Sequence, residues 1–332
     1  MISVVVVNWN RKELLRACLS SLAAQRDVSF ETIVVDNGSS DGSPDLAEKE
    51  FGARVIRNPE NRGFCAANNQ GIAAARGEFI ALLNNDAEAG PQWLAELARA
   101  CNSRPDVGMA ASKVLVWEDP RRIDKVGHLM FPDGQNRGRG AGALDEGQFD
   151  REEEVLWPDG CAAMYRKRML DEIGGFDEDF FAYGDDAELG LRARIAGWSC
   201  VYAPKAVVRH HRGATLGKDS TRRLELIERN RVLLAVKLFP WSVLWLNPLY
   251  FAARLLAGAA MAASGEGDTA HFPGIAGKLR IGRALAAGDW QALRMLPRML
   301  GKRAEVARIR KLAPREVRRL ILSNRLKLRE VA

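Results

Sequence analysis

Short apolar runs alternate with segments of helical apolar spacing through the first hundred residues. The predicted strands are 3–7, 32–35, 54–56 and 79–83, and the predicted helices include 64–75 and 92–100. Strands and helices that alternate in this way form a mostly parallel sheet with helices on both faces. The pattern therefore predicts an α/β fold, in which ligands bind at the carboxyl ends of the strands.

The pattern is different between residues 117 and 158, which are rich in Gly, Asp, Glu and Arg and have little periodicity. Loops of this length in a compact domain are usually functional. Periodicity then returns, with a strand-like run at 160–165, helices at 167–173 and 187–196, and a strand at 199–203. We therefore predict a first domain at 1–215 that contains an insertion at 117–158, followed by a helical region at 216–332.

Residues 232–263 are strongly apolar and contain Trp241, Trp245, Tyr250 and Phe251. Charged residues and prolines interrupt this segment, so it lacks the roughly 18 uninterrupted apolar residues of a spanning helix. One interpretation is an interfacial segment whose aromatic side chains lie among lipid headgroups. The other is a pair of buried helices that close the domain.

The C-terminal tail has the pattern of a basic amphipathic helix beyond Lys278. The leucines expected on its apolar face are Leu279, Leu285, Leu293, Leu296 and Leu300. The net charge of +7 combines −9 over residues 1–208 with +16 over residues 209–332. Acidic residues can hold a metal ion, whereas a basic surface can bind phosphate-rich partners, here an anionic membrane surface.

The cysteines and the N-terminus indicate the cellular compartment. The five cysteines are scattered and form no CxxC pair, which argues for a reducing environment and against a structural zinc site. The first residues lead directly into an apolar strand, without the basic region and cleavage site of a signal peptide. We therefore expect a cytoplasmic protein that is peripheral on the inner face of the cell membrane.

Acidic residues stand at three predicted element boundaries. Asp36 and Asp86 each follow an apolar strand, and two acids at the strand ends of one sheet can converge on a polar ligand. Asp36 by itself also fits a simple turn. Asp185 and Asp186 follow an aromatic segment at a helix start, where the helix dipole favours acids. An apolar rim there would also raise the basicity of a general base.

His210 and His211 directly follow an apolar run. A histidine is more often structural than a ligand, but two of them in a chain with a metal-binding carboxylate keep both interpretations open. One imidazole with oxygen ligands suits Mg²⁺ or Mn²⁺ better than zinc. The chain has no GxxxxGK[ST] loop, no GxGxxG after its first strand and no GxSxG, which argues against P-loop NTPases, standard dinucleotide enzymes and serine hydrolases.

A set of motifs in a fixed order carries a family resemblance. They are Val-Val-Val-Val-Asn-Trp-Asn at 4–10, Val-Val-Asp-Asn-Gly-Ser-Ser-Asp-Gly-Ser at 34–43, Asn-Pro-Glu-Asn-Arg-Gly-Phe at 58–64 with Asn-Asn at 68–69, Leu-Leu-Asn-Asn-Asp at 82–86, Gly-Gly-Phe-Asp at 174–177, and the segment 180–192. Over residues 1–215 the chain resembles the family 2 glycosyltransferases, which have the GT-A fold. The Asn-Trp-Asn and Asn-Asn-Asp forms look most like the rhamnosyltransferase and galactofuranosyltransferase branches.

The resemblance implies roles for individual residues. Those expected to bind the nucleotide sugar are Asn8, Trp9, Asn10, Asp36, Asn61, Arg62, Gly63, Asn68, Asn85 and Asp86. Asp86 matches the last carboxylate of the family's DxD motif, which holds a divalent metal, Mn or Mg, on the diphosphate. The first two positions of that motif are here Asn84 and Asn85. His210 matches the histidine that completes the metal shell, with His211 as the alternative.

The resemblance also implies a reaction. Asp186 matches the catalytic base of an inverting transfer of a hexose, with rhamnose as the first choice, from a dTDP- or UDP-sugar. The acceptor would be a hydroxyl of a saccharide or of a lipid-linked molecule in cell-envelope polysaccharide synthesis. Residues expected on the acceptor side are Trp157, Asp159 and Asp185, next to an insertion that also contains Trp117 and His128.

Two other classes of protein stay open. A sugar nucleotidyltransferase would also be an α/β sheet with metal carboxylates. It would carry an early Gly-rich basic loop, where this chain has Asn8-Trp9-Asn10-Arg11. A non-catalytic membrane- or nucleic-acid-binding module would rely on the basic tail. The acidic first 208 residues argue against phosphate-backbone binding, so we expect no nucleic acid partner.

Overall fold

The computed structural model describes residues 1–211, 220–264 and 274–331. These residues divide into two units. The first unit is Met1–His128 together with Gly138–Arg212, and the second is Leu129–Arg137 together with Gly213–Ala332. A short piece from within the predicted insertion thus groups with the helical C-terminal region.

The first unit is built on a mixed sheet. Its strands in chain order are β1 (Ile2–Asn8), β2 (Phe30–Asp36), β3 (Arg54–Arg57), β4 (Phe79–Leu83), β5 (Ala87–Ala89), β6 (Val107–Val116), β7 (Ile123–Lys125), β10 (Glu153–Glu154), β11 (Ala162–Arg166) and β12 (Ser199–His210). Two further strands, β8 (His128–Met130) and β9 (Asn136–Gly138), form a separate ribbon, most of which belongs to the second unit. The order across the sheet is β10-β12-β6-β11-β4-β1-β2-β3, with β5 paired to β12 and β7 paired to β6. Strands β1, β2, β3, β4, β6 and β12 run in one direction, and β10 and β11 run in the other. The prediction of a mostly parallel sheet is confirmed.

Helices pack on both faces of this sheet because β1 is apolar on both sides. The helices of the first unit are α1 (Lys12–Ala23), α2 (Ser43–Phe51), α3 (Gly63–Ala74), α4 (Trp93–Cys101), α5 (Lys167–Ile173) and α6 (Asp185–Ile195). Val4 and Val6 lie in one buried cluster with Leu15 of α1 and Trp93 of α4. Val5 points to the opposite face, since alternate residues of a strand do so, and it contacts α3.

The apolar pattern does not predict β6, which lies between β12 and β11 in the sheet. Its buried positions are mostly small or polar residues such as Ala110, Ala111 and Ser112. Lys113 is also buried there, and its ammonium group lies 2.8 Å from Asp145 and 2.7 Å from Asp150. The region predicted as loops at 117–158 likewise contains short strands, which form because β6 and β12 offer free edges for pairing.

The second unit is helical, as predicted. It contains α7 (Thr221–Leu238), α8 (Trp241–Leu244), α9 (Asn247–Ser264), α10 (Gly274–Ile309), α11 (Pro314–Ser323) and α12 (Leu328–Val331). The buried face of α10 includes Ala284, Gly288 and Ala292. A side chain at Gly288 would lie 2.7 Å from the carbonyl oxygen of Glu225 on α7. Leu279, Leu293 and Leu300, which the sequence pattern assigns to the apolar face of this helix, are exposed. Close packing of the two helices requires small residues instead.

A cluster of buried charges explains why Leu129–Arg137 groups with the helices. The carbonyl of Asp133 accepts a hydrogen bond from Arg231 of α7 at 2.9 Å, and its carboxylate accepts one from Arg254 of α9 at 2.5 Å. Glu228 accepts hydrogen bonds from both of these arginines, at 2.7 Å and 2.9 Å. Paired charges of this kind tie the ribbon segment to α7 and α9.

The segment 232–263 combines features of both predicted interpretations. Leu233 and Leu234 on α7 are fully buried, as the buried-helix interpretation requires. Trp245, Leu249 and Leu256 are 78%, 68% and 73% exposed, which leaves the surface of α8 and α9 apolar. Among the described residues, no helix is both long enough and apolar enough to cross a membrane.

Candidate active site

The carboxyl ends of β1 and β2 bring Asn8 and Asp36 together. These residues are register partners in the parallel pair, and the Asn8 amide donates to the Asp36 carboxylate at 3.1 Å and to Ser43 at 2.8 Å. The other carboxylate oxygen of Asp36 accepts the backbone N–H of Ser39 at 2.9 Å. Both Asn8 and Asp36 are buried, whereas Trp9, which follows Asn8, is 38% exposed. The buried Asn8–Asp36 pair therefore anchors the loop that carries the exposed side chain of Trp9.

Asn10 holds the opposite side of this loop. Its backbone N–H donates to the Ser39 hydroxyl at 2.7 Å, and its side-chain oxygen accepts the N–H of Ser40 at 3.0 Å. The backbone of Asn10 is left-handed, with φ 56°, a conformation that asparagine adopts more readily than most residues. The loops after β1 and β2 are thus fixed to each other.

The segment before α3 lies beside Asn37, the residue after Asp36. The Asn37 amide donates to the Asn61 side chain at 3.3 Å and to the carbonyl of Gly63 at 3.2 Å. Arg62 is exposed, while Asn68 is buried and donates to the carbonyl of Phe64 at 2.9 Å. Exposed Asn61 and Arg62 can therefore meet a ligand directly, whereas the contacts of Asn68 are internal to α3.

The end of β4 is connected to the same loops. The Asn85 amide donates to the side-chain oxygen of Asn8 at 2.8 Å, and both residues are buried. Asp86 follows at once and is buried too. A continuous set of hydrogen bonds therefore runs from Asp36 through Asn8 to the residue next to Asp86.

Asp86 meets His210 because β5 pairs with the end of β12. In this antiparallel pair His210 is the register partner of Ala87, and the carbonyl of Asp86 accepts the N–H of His211 at 2.9 Å. Asp86 Oδ1 lies 3.4 Å from His210 Nε2. The other ring nitrogen, Nδ1, lies 3.0 Å from the buried carboxylate of Asp124 on β7. The ring of His211 instead packs against Trp117, with ring centroids 4.5 Å apart.

The donor atoms of Asp86 and His210 fit a divalent cation. Asp86 Oδ1 is buried and accepts no hydrogen bond from the residues that the structure describes. Burial opposes a positive charge on His210, but Asp124 and Asp86 outweigh it and raise the pKa of His210 to about 9. The carboxylates of Asp86 and Asp124 therefore favour a positive charge at this site. The proton on His210 provides that charge, and Mg²⁺ or Mn²⁺ could replace the proton.

Asp186 lies in the first turn of α6. Its Oδ2 accepts the N–H of Gly160 at 3.3 Å, and its Oδ1 accepts the N–H of Ala187 at 2.8 Å. Burial raises the pKa of Asp186, and the nearby His128 opposes this rise. Burial and the charge of Asp186 also raise the pKa of Asp185 well above its usual range. A carboxylate with raised basicity beside a polar site is suited to accept a proton.

Asp159 is part of a buried polar group beside Asp186. Its Oδ2 lies 2.8 Å from Lys125 Nζ and 2.9 Å from His128 Nε2. Burial favours a neutral carboxyl, but Lys125 and His128 hold the pKa of Asp159 well below its usual range. Trp157 is fully buried, so its ring belongs to the core in this structure.

Asp124 and Lys125 connect the two groups of residues, and the sequence patterns do not single them out. Lys125 Nζ lies 3.9 Å from Asp124 Oδ2, which in turn contacts His210. A chain of charged contacts therefore runs from Asp86 to the neighbourhood of Asp186. The one sequence signal is an Asp-Lys pair after Ile123, within a region whose strands the apolar pattern does not predict.

Comparison with known proteins gives a consistent result. Residues 3–174 match the family described as Glycosyl transferase family 2. Over 277 residues the chain is 26% identical to the N-acetylglucosaminyl-diphospho-decaprenol L-rhamnosyltransferase of Mycobacterium tuberculosis, a match that covers 76% of this chain and 89% of that protein. It is 28% identical over 240 residues to an uncharacterized protein of Sinorhizobium fredii, but this match spans 67% of this chain and only 25% of that longer protein.

Solved structures share the fold. The mannosyltransferase PcManGT of Pyrobaculum calidifontis, in complex with GDP-Man and Mn²⁺, has a TM-score of 0.53 and 19% identity, with 93% of this chain and 85% of that chain covered. GalNAc-T7 with UDP, GalNAc and Mn²⁺ has a TM-score of 0.60 and 14% identity, with 78% and 51% covered. Since the family match also extends over more than half of the sequence, the chain belongs to glycosyl transferase family 2 and is a glycosyltransferase with the GT-A fold.

Proposed function

We propose that the protein is an inverting hexosyltransferase that uses a nucleoside-diphosphate sugar, with dTDP-rhamnose as the first choice. The acceptor would be a hydroxyl of a saccharide or a lipid-linked molecule in cell-envelope polysaccharide synthesis. The observation that carries this proposal is the connected set of polar side chains at the carboxyl edge of the sheet. It runs from Asp36 and Asn8 to Asp86 and His210, and the carboxylate of Asp186, which is 13% exposed, lies beside its extension.

Asp36 and the loops around it are the proposed nucleoside site. The buried carboxylate of Asp36 is held in place by Asn8 and Ser39, so it can accept hydrogen bonds from a base without rearranging. Trp9 is exposed beside it and offers a flat apolar surface. Asn61 and Arg62 are exposed next to Asn37 and provide further polar contacts.

Asp86 and His210 would hold a divalent cation on the diphosphate. Such a cation would neutralise the negative charge that grows on the leaving diphosphate. Both of the solved GT-A structures named above contain Mn²⁺. Asn84 and Asn85 leave Asp86 as the single carboxylate of this motif, so His210 and its partner Asp124 become more important for holding the ion.

Asp186 would act as the general base. It takes the proton of the acceptor hydroxyl while the acceptor oxygen forms a bond to the anomeric carbon. The bond from that carbon to the diphosphate oxygen breaks on the opposite face, so a single displacement inverts the anomeric configuration. Burial of Asp186 supports this role because it raises the basicity of the carboxylate.

The rhamnosyltransferase of M. tuberculosis guides the choice of substrates. Its name specifies transfer of L-rhamnose to N-acetylglucosaminyl-diphospho-decaprenol. We therefore propose a diphospho-prenol-linked sugar as the acceptor class, with dTDP-rhamnose as donor ahead of UDP-linked galactose, galactofuranose or glucose. The protein would work as a peripheral protein on the inner face of the cell membrane, where such an acceptor resides.

The second unit supports membrane contact. Trp241, Trp245 and Leu249 are exposed on α8 and α9, and residues 209–332 carry a net charge of +16. Exposed tryptophans with a basic surround are typical of proteins that lie on anionic lipid. We propose that this surface contacts an anionic bilayer.

A nucleotide-binding screen tests the donor site. Thermal unfolding of the purified protein is measured with dTDP, UDP and GDP, each with and without Mn²⁺ or Mg²⁺. A ligand at 100 times its dissociation constant adds about 2.7 kcal/mol to the stability of the folded state, which shifts the midpoint measurably. We expect the largest shift with dTDP and Mn²⁺, and we expect Asp86→Ala to remove the dependence on metal.

Transfer is then measured as dTDP released from dTDP-rhamnose in the presence of a short-chain N-acetylglucosaminyl-diphospho-prenol. Release that depends on this acceptor supports the proposal. If no nucleotide binds, with or without metal, the donor-site assignment is wrong.

A further inference from the structure

Lys125, Asp159 and His128 form a buried polar chain that ends at the proposed base. Lys125 Nζ lies 2.8 Å from Asp159 Oδ2, and the same oxygen lies 2.9 Å from His128 Nε2. His128 Nε2 then lies 3.6 Å from Asp186 Oδ2. The side chains of Asp159 and His128 are 10% and 7% exposed, and those of Lys125 and Asp186 are 17% and 13% exposed. The series of contacts thus begins at the ammonium group of Lys125 and ends at Asp186, the proposed base.

The hydrogen bonds determine which nitrogen of His128 carries a proton. His128 Nε2 faces carboxylate oxygens, which can only accept, so Nε2 is the donor. The other nitrogen, Nδ1, is buried and has no hydrogen-bond partner among the described residues. A proton on Nδ1 would be a buried donor without an acceptor, whereas a bare lone pair costs less. The Nε2–H of His128 therefore donates to Asp159 Oδ2 at 2.9 Å, and the same nitrogen lies 3.6 Å from Asp186 Oδ2.

A second metal site would use the same atoms but does not fit the charges. The ligand atoms of His128, Asp159 and Asp186 lie within 4.8 Å of one another, close enough to surround an ion. However, Asp159 Oδ2 already binds the ammonium group of Lys125 at 2.8 Å. A divalent ion placed there would lie beside the fixed positive charge of Lys125, which Asp159 already neutralises.

We propose that Lys125, Asp159 and His128 are positioning residues that keep Asp186 ionised and oriented for proton transfer. Lys125 fixes the Asp159 carboxylate, Asp159 accepts the N–H of His128 and fixes its ring plane, and the ring holds its Nε2 edge 3.6 Å from Asp186 Oδ2. This inference rests on the proposed role of Asp186 as the base. It gives the proposed base three supporting residues that lie outside the family motifs found in the sequence.

The charges around Asp186 make this support necessary. Burial raises the pKa of Asp186, and the Asp159 charge acts in the same direction, while His128 and Lys125 oppose both. Asp185 and Tyr165 also interact with Asp186, and burial raises the pKa values of both. Among these neighbours, His128 and Lys125 favour the ionised form that can accept a proton.

The first test compares the pH dependence of kcat/KM in His128→Ala, His128→Gln and the wild type. Asp186 accepts a proton only when it is ionised, so activity falls as the pH drops below its pKa. Loss of His128 removes a group that lowers this pKa. We therefore expect the falling limb to move up by about one pH unit in His128→Ala, with kcat reduced about 10- to 100-fold. Gln keeps an N–H group, so His128→Gln should have a kcat and a pH profile between those of the wild type and of His128→Ala. The dissociation constant for dTDP should stay within about twofold of the wild-type value in both variants.

The second test needs no turnover. The chain has four histidines, so ¹⁵N-imidazole NMR gives a spectrum simple enough to assign His128 from its loss in His128→Gln. We expect the tautomer with the proton on Nε2, and a changed His128 signal in both Asp159→Asn and Asp186→Asn. Asp171→Asn is the matched control because Asp171 is an exposed carboxylate on α5.

The outcomes separate this inference from the proposed function. If Asp186→Asn stays active, the base assignment fails, whatever the NMR signal shows. If Asp186→Asn is inactive while His128→Ala keeps the wild-type pH profile, the positioning role is wrong. If His128→Ala instead lowers the number of Mn²⁺ ions bound per chain, measured by EPR, the cluster is a metal site and the proposal is overturned.

Discussion

The imidazole of His210 lies 3.0 Å from the buried carboxylate of Asp124, which is on the side of the ring opposite Asp86. A carboxylate in this position fixes the orientation of a metal-binding histidine and increases its basicity. We expect Asp124→Asn to weaken Mn²⁺ binding about 10- to 100-fold, the usual effect of removing such a partner. Isothermal titration of Mn²⁺ in the presence of dTDP measures this change.

Asp119→Asn is the matched control for that measurement, because Asp119 is a nearby carboxylate in the insertion that pairs with Arg121. Equal Mn²⁺ affinities in Asp124→Asn and Asp119→Asn would show that Asp124 does not support the metal site. His210→Gln should lose more affinity than Asp124→Asn, since it removes a proposed ligand itself.

Asp186→Asn should lower kcat about 10²- to 10⁴-fold, the range that general base catalysis contributes. The amide has nearly the same shape as the carboxylate but cannot accept the acceptor proton. Binding of dTDP, measured by thermal shift, should be unchanged because the substitution alters a residue of α6 that is not part of the proposed nucleoside site. Turnover close to that of the wild type would remove Asp186 from the role of base.

Gly190→Ala should destabilise the first unit by about 2 kcal/mol, in the range of overpacked cores. A methyl group at Gly190 on α6 would lie 2.2 Å from Cβ of Trp157, an atom that cannot move without its backbone. Gly282→Ala is the control, since Gly282 is also in a helix but has no atom within 4 Å of the added methyl group. Helix propensity alone should stabilise this control by about 0.5–1 kcal/mol. Urea unfolding of both variants measures the difference, and equal shifts would contradict the packing argument.

Glu31 makes the stability depend on pH at low pH. It accepts hydrogen bonds from Ser3 at 2.7 Å and from the Arg76 guanidinium at 2.7 Å. Burial acts against ionisation, but these hydrogen bonds dominate and lower the pKa of Glu31 to about 2. The folded-state pKa is below the unfolded value, so the stabilisation is complete above about pH 5 and is lost as the pH falls toward 2.

Arg76 is largely exposed, so solvent screening limits the contribution of the Glu31–Arg76 pair to the free energy of unfolding to about 1 kcal/mol. Urea unfolding of wild type and Glu31→Gln at pH 7 and pH 3 measures it. We expect the two proteins to differ at pH 7 and to differ less at pH 3, because the carboxyl of Glu31 is fully protonated only below its folded-state pKa of about 2. A constant difference across this range would mean that the effect of Glu31 does not come from its charge.

Trp245→Ser combined with Leu249→Ser should reduce binding to vesicles that contain phosphatidylglycerol. These side chains are 78% and 68% exposed on the second unit. Removing an exposed tryptophan and leucine from a lipid contact should weaken binding by at least tenfold, given about 1.5–3 kcal/mol for each large apolar side chain that is buried. Flotation of intact protein with vesicles measures this, and Leu144→Ser, which changes an exposed leucine of the first unit, is the control.

The first half of the fold could be predicted from the sequence because its strands are uniform apolar runs. The predicted strand at 79–83 agrees with β4, Phe79–Leu83, and that at 3–7 lies within β1, Ile2–Asn8. The polar residues directly after such strands must lie at the carboxyl edge of a parallel sheet. Their meeting there follows from strand direction alone.

β6 and the insertion could not be predicted in the same way, for a physical reason. Strands whose buried positions are Ala, Ser and a paired Lys gain their stability from neighbours that are distant in the sequence. Asp124 and Lys125 lie on β7, a three-residue strand that pairs with β6, so their roles become visible only when Asp159 and His210 are beside them. The contact of α10 with α7 could not be predicted from the apolar pattern either, since it is made through small residues such as Gly288.

The position of β11 has a consequence for the order in which the chain can fold during synthesis. β11, Ala162–Arg166, pairs with β4 on one side and with β6 on the other, and both of these strands precede it in the chain. Strands β1 to β4 can pair as soon as they leave the ribosome, because each of their parallel pairings is made within this group. β6 gains a link to them only after residue 166 has emerged. A nascent chain shorter than this therefore carries the open edges of β4 and β6, which are the sites where chaperones or mispaired strands would attach.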